Sequence, residues 1–163
     1  MTNKQFIKLT EYDCISSTSN KNGYFVVYKN DLAGIIDSKN NIIIPCMYDY
    51  INLPNENYCE ACKNNKFGLI DLQNNIIIPF EYDKLGNYLP DCLTAKIGNK
   101  SGFIDINNNK LSEFKFEDEL FCVNNRYYAC LNGKWGVVDK YGNIVVPIIY
   151  KDPIGLNKEL NHD

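Results

Sequence analysis

The chain has 163 residues, of which 45% are hydrophobic and 23% charged, and its formal net charge is −3. These values predict one globular domain, without the basic stripe that a nucleic-acid-binding surface needs. No apolar run approaches the roughly 20 residues of a membrane span. The single histidine, His162, excludes mechanisms that need two imidazoles and makes a histidine-based zinc site unfavourable.

Seven cysteines without a recognisable secretory signal favour free thiols in a reducing cytoplasm. Two of them end the motif Cys59-Glu60-Ala61-Cys62, which redox or metal chemistry would place in a turn or at a helix start. The surrounding residues instead predict a strand, in which positions i and i+3 face opposite sides. We therefore interpret both as buried hydrophobic side chains and expect neither a metal site nor a cofactor.

The sequence repeats itself with a period of 34 residues. Glycine and aspartate recur at this spacing, at Gly34, Gly68, Gly102 and Gly136 and at Asp37, Asp71, Asp105 and Asp139. Proline and tyrosine follow at Pro45, Pro79 and Pro147 and at Tyr48, Tyr82 and Tyr150, whereas the third repeat has Glu113 and Phe116 there. We divide the single repeat domain, 1–163, into an N-terminal cap at 1–23, repeats at 24–57, 58–91, 92–125 and 126–159, and a tail at 160–163.

Each repeat contains three apolar runs separated by two turns. In the fourth repeat Asn132-Gly133 separates the first two runs, and this dipeptide is a strong hairpin signal. A second turn runs from each repeated aspartate to a residue that tolerates a left-handed backbone, namely Asn40, Asn74, Asn108 or Gly142. The aspartate can accept backbone N–H groups in this turn, which favours a structural role over a metal-binding or acid–base role.

These patterns predict an all-β fold of four tandem three-stranded antiparallel meanders, stacked into a short solenoid or roll. The alternative is a closed, small propeller-like ring, which we rank second because 34 residues are short for a four-stranded blade. Residues 5–15 resemble the end of a further repeat and are expected to form an N-terminal cap. The polar segment 151–163 is expected to be a C-terminal cap or a frayed tail.

Two segments carry a resemblance to a known family. Residues 134–139 read KWGVVD and residues 66–71 read KFGLID, each followed by a proline and a tyrosine. They resemble the WG repeat, and the resemblance extends over about residues 24–152. It implies a β-rich repeat array, mostly bacterial, whose members have no shared enzymatic activity and are regarded as binding modules. The chain departs from the motif at the signature tryptophan, which is Ala33, Phe67 and Ser101 in the first three repeats and Trp135 in the fourth.

The third repeat is anomalous where it loses its proline and tyrosine. Four carboxylates lie within seven residues there, at Glu113, Glu117, Asp118 and Glu119. If the alternating phenylalanines of this segment point inward, the acids face water and can steer a basic partner. We predict this acidic patch as the partner-binding site, the alternative being a solvated edge whose sequence has drifted.

No Ser–His or Cys–His pair is recognisable, so we expect a non-catalytic protein-binding module and not an enzyme. Its most concrete form is a cytoplasmic immunity or inhibitor protein that neutralises a basic toxin such as a nuclease. One alternative is a general scaffold or adaptor, and another is a small-molecule binder or enzyme that uses a cleft between repeats. The expected partner is another protein, neither nucleic acid nor a membrane, and the sequence leaves the oligomeric state open.

Overall fold

A computed structural model describes residues 11–16, 21–53, 57–89, 91–118 and 120–160, of which 87–89 are described for the backbone alone. Within these ranges the chain forms short antiparallel strands and ends in one helix. The residues fall into two compact units, Met1–Glu81 and Tyr82–Asp163.

The first unit, together with Tyr82, contains two antiparallel sheets of four strands each, and in both sheets the strands lie in sequence order. Valine, isoleucine and tyrosine are common in these strands, as expected for pleated, half-buried surfaces. The first sheet comprises β1 (Cys14–Ile15), β2 (Phe25–Lys29), β3 (Leu32–Ile36) and β4 (Ile42–Tyr48). The second comprises β5 (Tyr50–Ile51), β6 (Tyr58–Lys63), β7 (Lys66–Asp71) and β8 (Ile76–Tyr82).

The second unit contains a three-stranded and a four-stranded sheet, followed by the helix. The third sheet comprises β9 (Lys84–Leu89), β10 (Cys92–Ile97) and β11 (Lys100–Ile104). The fourth comprises β12 (Phe121–Val123), β13 (Arg126–Leu131), β14 (Lys134–Val138) and β15 (Ile144–Tyr150), and α1 is Pro153–Leu160. Where the other sheets have a last strand, the third has two isolated bridges, Ile104 with Lys110 and Ser101 with Phe116. The third repeat therefore loses a regular strand at the point where its sequence departs from the others.

Both predicted turns of each repeat are confirmed by their backbone angles. In three of the hairpins both central residues have φ between 51° and 66°, as type I′ turns require: Asn30-Asp31, Asn64-Asn65 and Asn132-Gly133. The third hairpin has Gly98 at a φ of 58°. In the second turn the left-handed residues have φ between 66° and 79°: Asn40, Asn74, Asn108 and Gly142.

The repeated glycine lies within a strand and not in a turn. Opposite Gly34 the neighbouring strand β4 bulges around Pro45, and the β3–β4 register shifts there. A Cβ on Gly34 would lie 2.6 Å from the Ile44 carbonyl oxygen and 2.7 Å from the Cys46 nitrogen. These distances are far inside van der Waals contact, so the bulged strand β4 can approach β3 this closely only because Gly34 has no side chain.

The tyrosine at the end of one repeat bonds to the second turn of the following repeat. Tyr48 Oη donates to Asn74 Oδ1 at 2.7 Å. The same bond joins Tyr82 Oη to Asn108 Oδ1 at 2.6 Å. Between the third and fourth repeats both partners change, because Phe116 replaces the tyrosine and Gly142 replaces the asparagine. Phe116 is fully buried, and a Cβ on Gly142 would lie 3.7 Å from its ring. Replacing both partners leaves no buried donor or acceptor unsatisfied at this position.

The predicted all-β architecture of tandem three-stranded antiparallel meanders is confirmed, and each sheet also includes a first strand that the sequence analysis assigned to no strand. The residues that follow the tyrosine of one repeat form a strand of their own. This strand pairs with the first long strand of the next repeat, as Tyr50 pairs with Cys62. Each meander therefore gains a short first strand from the tail of the preceding repeat. The roll or ring arrangement and the single-domain division stay predictions.

Both terminal segments contribute regular structure among the described residues. The N-terminal segment contributes β1, which pairs with β2, while residues 1–10 and 17–20 lie outside the described residues. At the other end α1 buries Leu156 completely against Tyr128 and Val137. The C-terminal segment thus forms a helix packed on the fourth sheet, with residues 161–163 outside the described part, and its role as a cap stays a prediction.

Candidate functional site

The repeated aspartates are occupied in forming their turns. Asp71 Oδ1 accepts the N–H groups of Gln73 at 2.9 Å and Asn75 at 2.7 Å, and Asp71 Oδ2 accepts the Asn75 side-chain amide at 2.8 Å. The Asn75 side chain and backbone hold the pKa of Asp71 below its usual value. The same three bonds recur at Asp37, Asp105 and Asp139. This carboxylate row therefore has the structural role that the sequence predicts.

A second row of acids connects the end of each repeat to the next hairpin turn. Asp83 donates its N–H to the Lys96 carbonyl at 2.9 Å, and its Oδ2 accepts the Gly98 N–H at 2.6 Å. Glu117 does the same with the Cys130 carbonyl and with the Gly133 N–H, which it accepts at 3.0 Å. The corresponding pairs in the first unit are Asp13 with Asn30 and Asp49 with Asn65. Glu117 therefore belongs to a structural row.

Three carboxylates of the predicted acidic patch fall in the described residues, and Glu119 lies outside them. Glu113 Oε2 is 3.7 Å from Lys115 Nζ, and Glu117 Oε1 is 3.9 Å from Lys100 Nζ. The Gly133 N–H holds the pKa of Glu117 below its usual value. Asp118 is exposed beside the Cys130 thiol, whose pKa is raised by burial and by this carboxylate. Two of the three described acids thus have a lysine partner.

The Cys59–Cys62 motif lies in the middle of β6, as predicted. Cys59 pairs with Ile70 and Cys62 with Phe67 across the sheet, so the two thiols belong to opposite faces. Both are free and buried, and burial raises the pKa of Cys59 to about 12. A thiol in that state is neither a good nucleophile nor a metal ligand.

Large aliphatic side chains are exposed on the last strands of three sheets. The first residues of β4, β8 and β15 are Ile42, Ile76 and Ile144, and each is 61–64% exposed. β15 adds Val145 at 63% and Ile149 at 64%. Strand β15 therefore presents three large aliphatic side chains to its surroundings. We call these three residues of β15 the apolar edge.

In the fourth repeat the signature tryptophan belongs to an aromatic cluster. The ring of Phe121 stacks on Tyr128 with centroids 5.0 Å apart, and it lies 5.6 Å from the ring of Trp135. Phe121 and Tyr128 are cross-strand partners. The equivalent partners in the third repeat are Gly86 and Thr94, and Ser101 stands at the signature position. Three large rings are therefore replaced by one glycine and two hydroxyl-bearing side chains.

A cavity of about 290 Å³ lies at these small residues in the second unit. It is lined in part by Lys84, Thr94, Lys96, Ser101, Leu120 and Phe121. Sequence alone does not reveal this cavity, although the 34-residue spacing aligns Thr94 and Ser101 with Tyr128 and Trp135. The contribution of Gly86 could not be read from spacing, because it depends on the β9–β10 register.

No helix among the described residues is long and apolar enough to cross a membrane. The sequence profile of a WG containing repeat matches four consecutive segments, residues 34–67, 67–100, 102–135 and 135–155. No curated protein matches the chain. The matched segments cover most of the sequence, including the divergent third repeat, and they begin at the signature position or at the glycine after it. The chain therefore belongs to the family of WG containing repeats.

Proposed function

We propose that the chain is a non-catalytic protein-binding module. The observation that carries this proposal is the apolar edge, where Ile144, Val145 and Ile149 are each more than 60% exposed. Covering each side chain with a partner would contribute about 1–2 kcal/mol. An exposed edge strand also offers unpaired backbone groups to a partner. Membership of a repeat family supports the proposal, because repeat arrays provide extended surfaces for binding.

The state of the titratable groups favours binding over catalysis. Within the described ranges, no group of three or more His, Cys, Asp or Glu side chains could hold a metal ion. The two carboxylate rows are engaged with backbone N–H groups, as at Asp71 and Glu117. Equivalent carboxylates in equivalent surroundings do not supply the separate acid and base that hydrolytic chemistry needs.

In its finer form, the proposal is that the chain is a cytoplasmic immunity or inhibitor protein for a basic toxin such as a nuclease. The net charge of −3 and the exposed acids Glu113 and Asp118 support a basic partner. An acidic surface speeds the encounter with such a partner, and this effect is screened by salt. The lysines beside Glu113 and Glu117 reduce the local charge, so the apolar edge is expected to supply most of the affinity.

Affinity capture with the tagged full-length chain tests the proposal. The eluates at low and at high salt are compared by mass spectrometry. One basic protein in near-equal amount supports the inhibitor, and its activity is then assayed with and without the chain. Several weakly held proteins favour a scaffold or adaptor. An empty elution at both salt concentrations contradicts a protein-binding function.

Two sets of variants separate the apolar edge from the acidic patch. Ile144→Ser/Val145→Ser should lose the partner at both salt concentrations. Glu113→Gln/Asp118→Asn should slow binding mainly at low salt. Glu117 is left unchanged because its bond to Gly133 supports the fold. The matched control, Asp31→Asn, removes an exposed carboxylate from a turn of the first unit and should bind as the wild type does. Wild-type affinity in the Ile144/Val145 variant would refute a role for the apolar edge.

A further inference from the structure

The cavity of the third repeat lies at the positions that carry the aromatic cluster in the fourth repeat. The fourth repeat fills the corresponding space with Phe121, Tyr128 and Trp135. Protein interiors normally close such space by repacking, because unfilled volume forfeits dispersion contacts. Here about 290 Å³ stays open beside Thr94 and Ser101. The opening can therefore accept a molecule with a ring-sized apolar body.

A lining residue of the cavity, Ser101, has a small side chain whose hydroxyl is buried. Ser101 is 2% exposed, and its Oγ has no hydrogen-bond partner within the part of the chain that the structure describes. An unsatisfied buried hydroxyl costs about 1–3 kcal/mol, so serine at this position does not stabilise the fold. The unused hydroxyl lies at the signature position, which other repeats fill with an apolar side chain, Ala33, Phe67 or Trp135.

The remaining lining residues define the charge and shape of that molecule. Lys84 and Lys96 provide positive charge, with Lys84 exposed and Lys96 half-buried. Leu120 is 3% exposed, and with the ring of Phe121 it forms an apolar side. Ligand pockets commonly combine an apolar lining with a few polar groups that fix orientation. A carboxylate or a phosphate suits the lysines, and an apolar ring suits Leu120 and Phe121.

We propose that this cavity binds a small organic anion, a ring-sized apolar body bearing a carboxylate or phosphate group. The ring lies against Leu120 and Phe121, and the anionic group faces the two lysines. We call it the anion pocket. It lies on residues other than those of the apolar edge, so it is a ligand site in addition to the proposed protein-binding function.

Titration of the isotope-labelled full-length chain by two-dimensional NMR tests the anion pocket. The probes are phenyl phosphate and phenylacetate, which distinguish the two anionic groups, and neutral benzyl alcohol is the matched control. At least one anion should bind with a Kd of about 1 mM or tighter and shift the amides around Thr94 and Ser101. Benzyl alcohol should bind at least tenfold more weakly. No saturable shift with either anion at about 10 mM would overturn the proposal, because the cavity would then hold only water.

Variants connect the binding to the cavity itself. Ser101→Trp restores the signature residue and should abolish anion binding without lowering Tm. If that variant does not fold, Ser101→Phe takes its place, because the second repeat has phenylalanine, Phe67, at the same position. Lys96→Gln should weaken binding about tenfold, whereas Lys151→Gln, a surface control in the same unit, should not. Retention of wild-type anion affinity in a folded Ser101 variant would refute the site. Capture of a protein partner should be unchanged by Ser101→Trp, so the two proposals stand or fall separately.

Discussion

Replacing Gly34 with alanine places a methyl group against the backbone of the bulged strand. The new Cβ would lie 2.6 Å from the Ile44 carbonyl oxygen, 2.7 Å from the Cys46 nitrogen and 2.8 Å from the Pro45 carbonyl carbon. All three neighbours are backbone atoms, so a change of side-chain rotamer cannot relieve the contacts. Strand β4 must therefore move away from β3, with loss of the packing that buries Ile35 and Ile44.

The expected cost follows from two opposing effects. Overpacking by one methyl group costs about 3 kcal/mol, the upper part of its usual range, because a strand has to shift. Alanine restricts the unfolded chain more than glycine does, which offsets about 0.5–1 kcal/mol. The free energy of unfolding should therefore fall by about 2 kcal/mol, equivalent to about 4–8 °C in Tm for a chain of this size.

Urea denaturation followed by circular dichroism measures this loss. The matched control is Gly86→Ala, where the nearest heavy atom to the new Cβ is Thr94 Oγ1 at 3.4 Å, and a change within about 0.5 kcal/mol is expected. Gly102→Ala should lie between the two, because its closest neighbour is the Phe114 ring at 2.7 Å, which can move. An unchanged midpoint for Gly34→Ala, or equal losses at Gly34 and Gly86, would refute the reasoning.

Three further predictions concern hydrogen bonds, acid stability and thiol reactivity. Tyr48→Phe should cost about 1–2 kcal/mol because it leaves the Asn74 side-chain oxygen without its donor. Adding Asn74→Gly should recover most of that loss, and strictly additive effects in a double-mutant cycle would argue against the bond. The pKa of Asp71 is held down chiefly by the Asn75 side chain. The ionised Asp71 carboxylate therefore contributes stability above about pH 4, and this contribution is lost as the pH falls through the folded pKa. Asp71→Asn should therefore flatten the fall of Tm between about pH 5 and pH 2, and an unaltered slope would exclude this role. At about pH 8, iodoacetamide should label exposed Cys14 and spare Cys59, whose pKa burial raises to about 12; equal labelling by mass spectrometry would contradict the buried site.

The repeat, its turns and its signature glycine can be predicted because their chemistry is local. Asn-Gly or Asn-Asn between two apolar runs indicates a positive φ, and the hairpin at Asn132-Gly133 has that backbone. The turn that begins at Asp71 depends on residues within four positions of it in sequence. Spacing in the sequence is therefore sufficient to place these features.

Features that depend on pairing across the sheet could not be predicted in the same way. The first strand of the second sheet, Tyr50–Ile51, has two residues and too little sequence to show a periodicity. The cavity depends on Gly86 lying opposite Thr94, a register that no local pattern specifies. Sequence spacing shows the change from Trp135 to Ser101 but not whether the neighbouring residues fill the space.

The acidic patch contains a signal that the sequence does provide. Glu117 stands at the repeat position of Asp49 and Asp83. That alignment assigns it to the row that binds the next hairpin turn, and the bond to Gly133 has the same form. Charge density alone favours a surface for a partner, whereas position within the repeat identifies the structural role. Glu113 and Asp118 are outside this row, which makes them the better test of partner binding.

The offset between sequence repeat and sheet determines which segment could be duplicated as a working module. Residues 50–83 carry all four strands of the second sheet together with Asp83, which binds the hairpin turn that follows. A segment cut at 58–91 would instead carry three strands of one sheet and the first strand of another. Gene duplication or protein engineering that lengthens this array should therefore join copies just after the tyrosine that ends each last strand. A junction just after the repeated glycine would instead cut through the strand that carries it. It would also separate that glycine from the bulged strand opposite, which needs a residue without a side chain there.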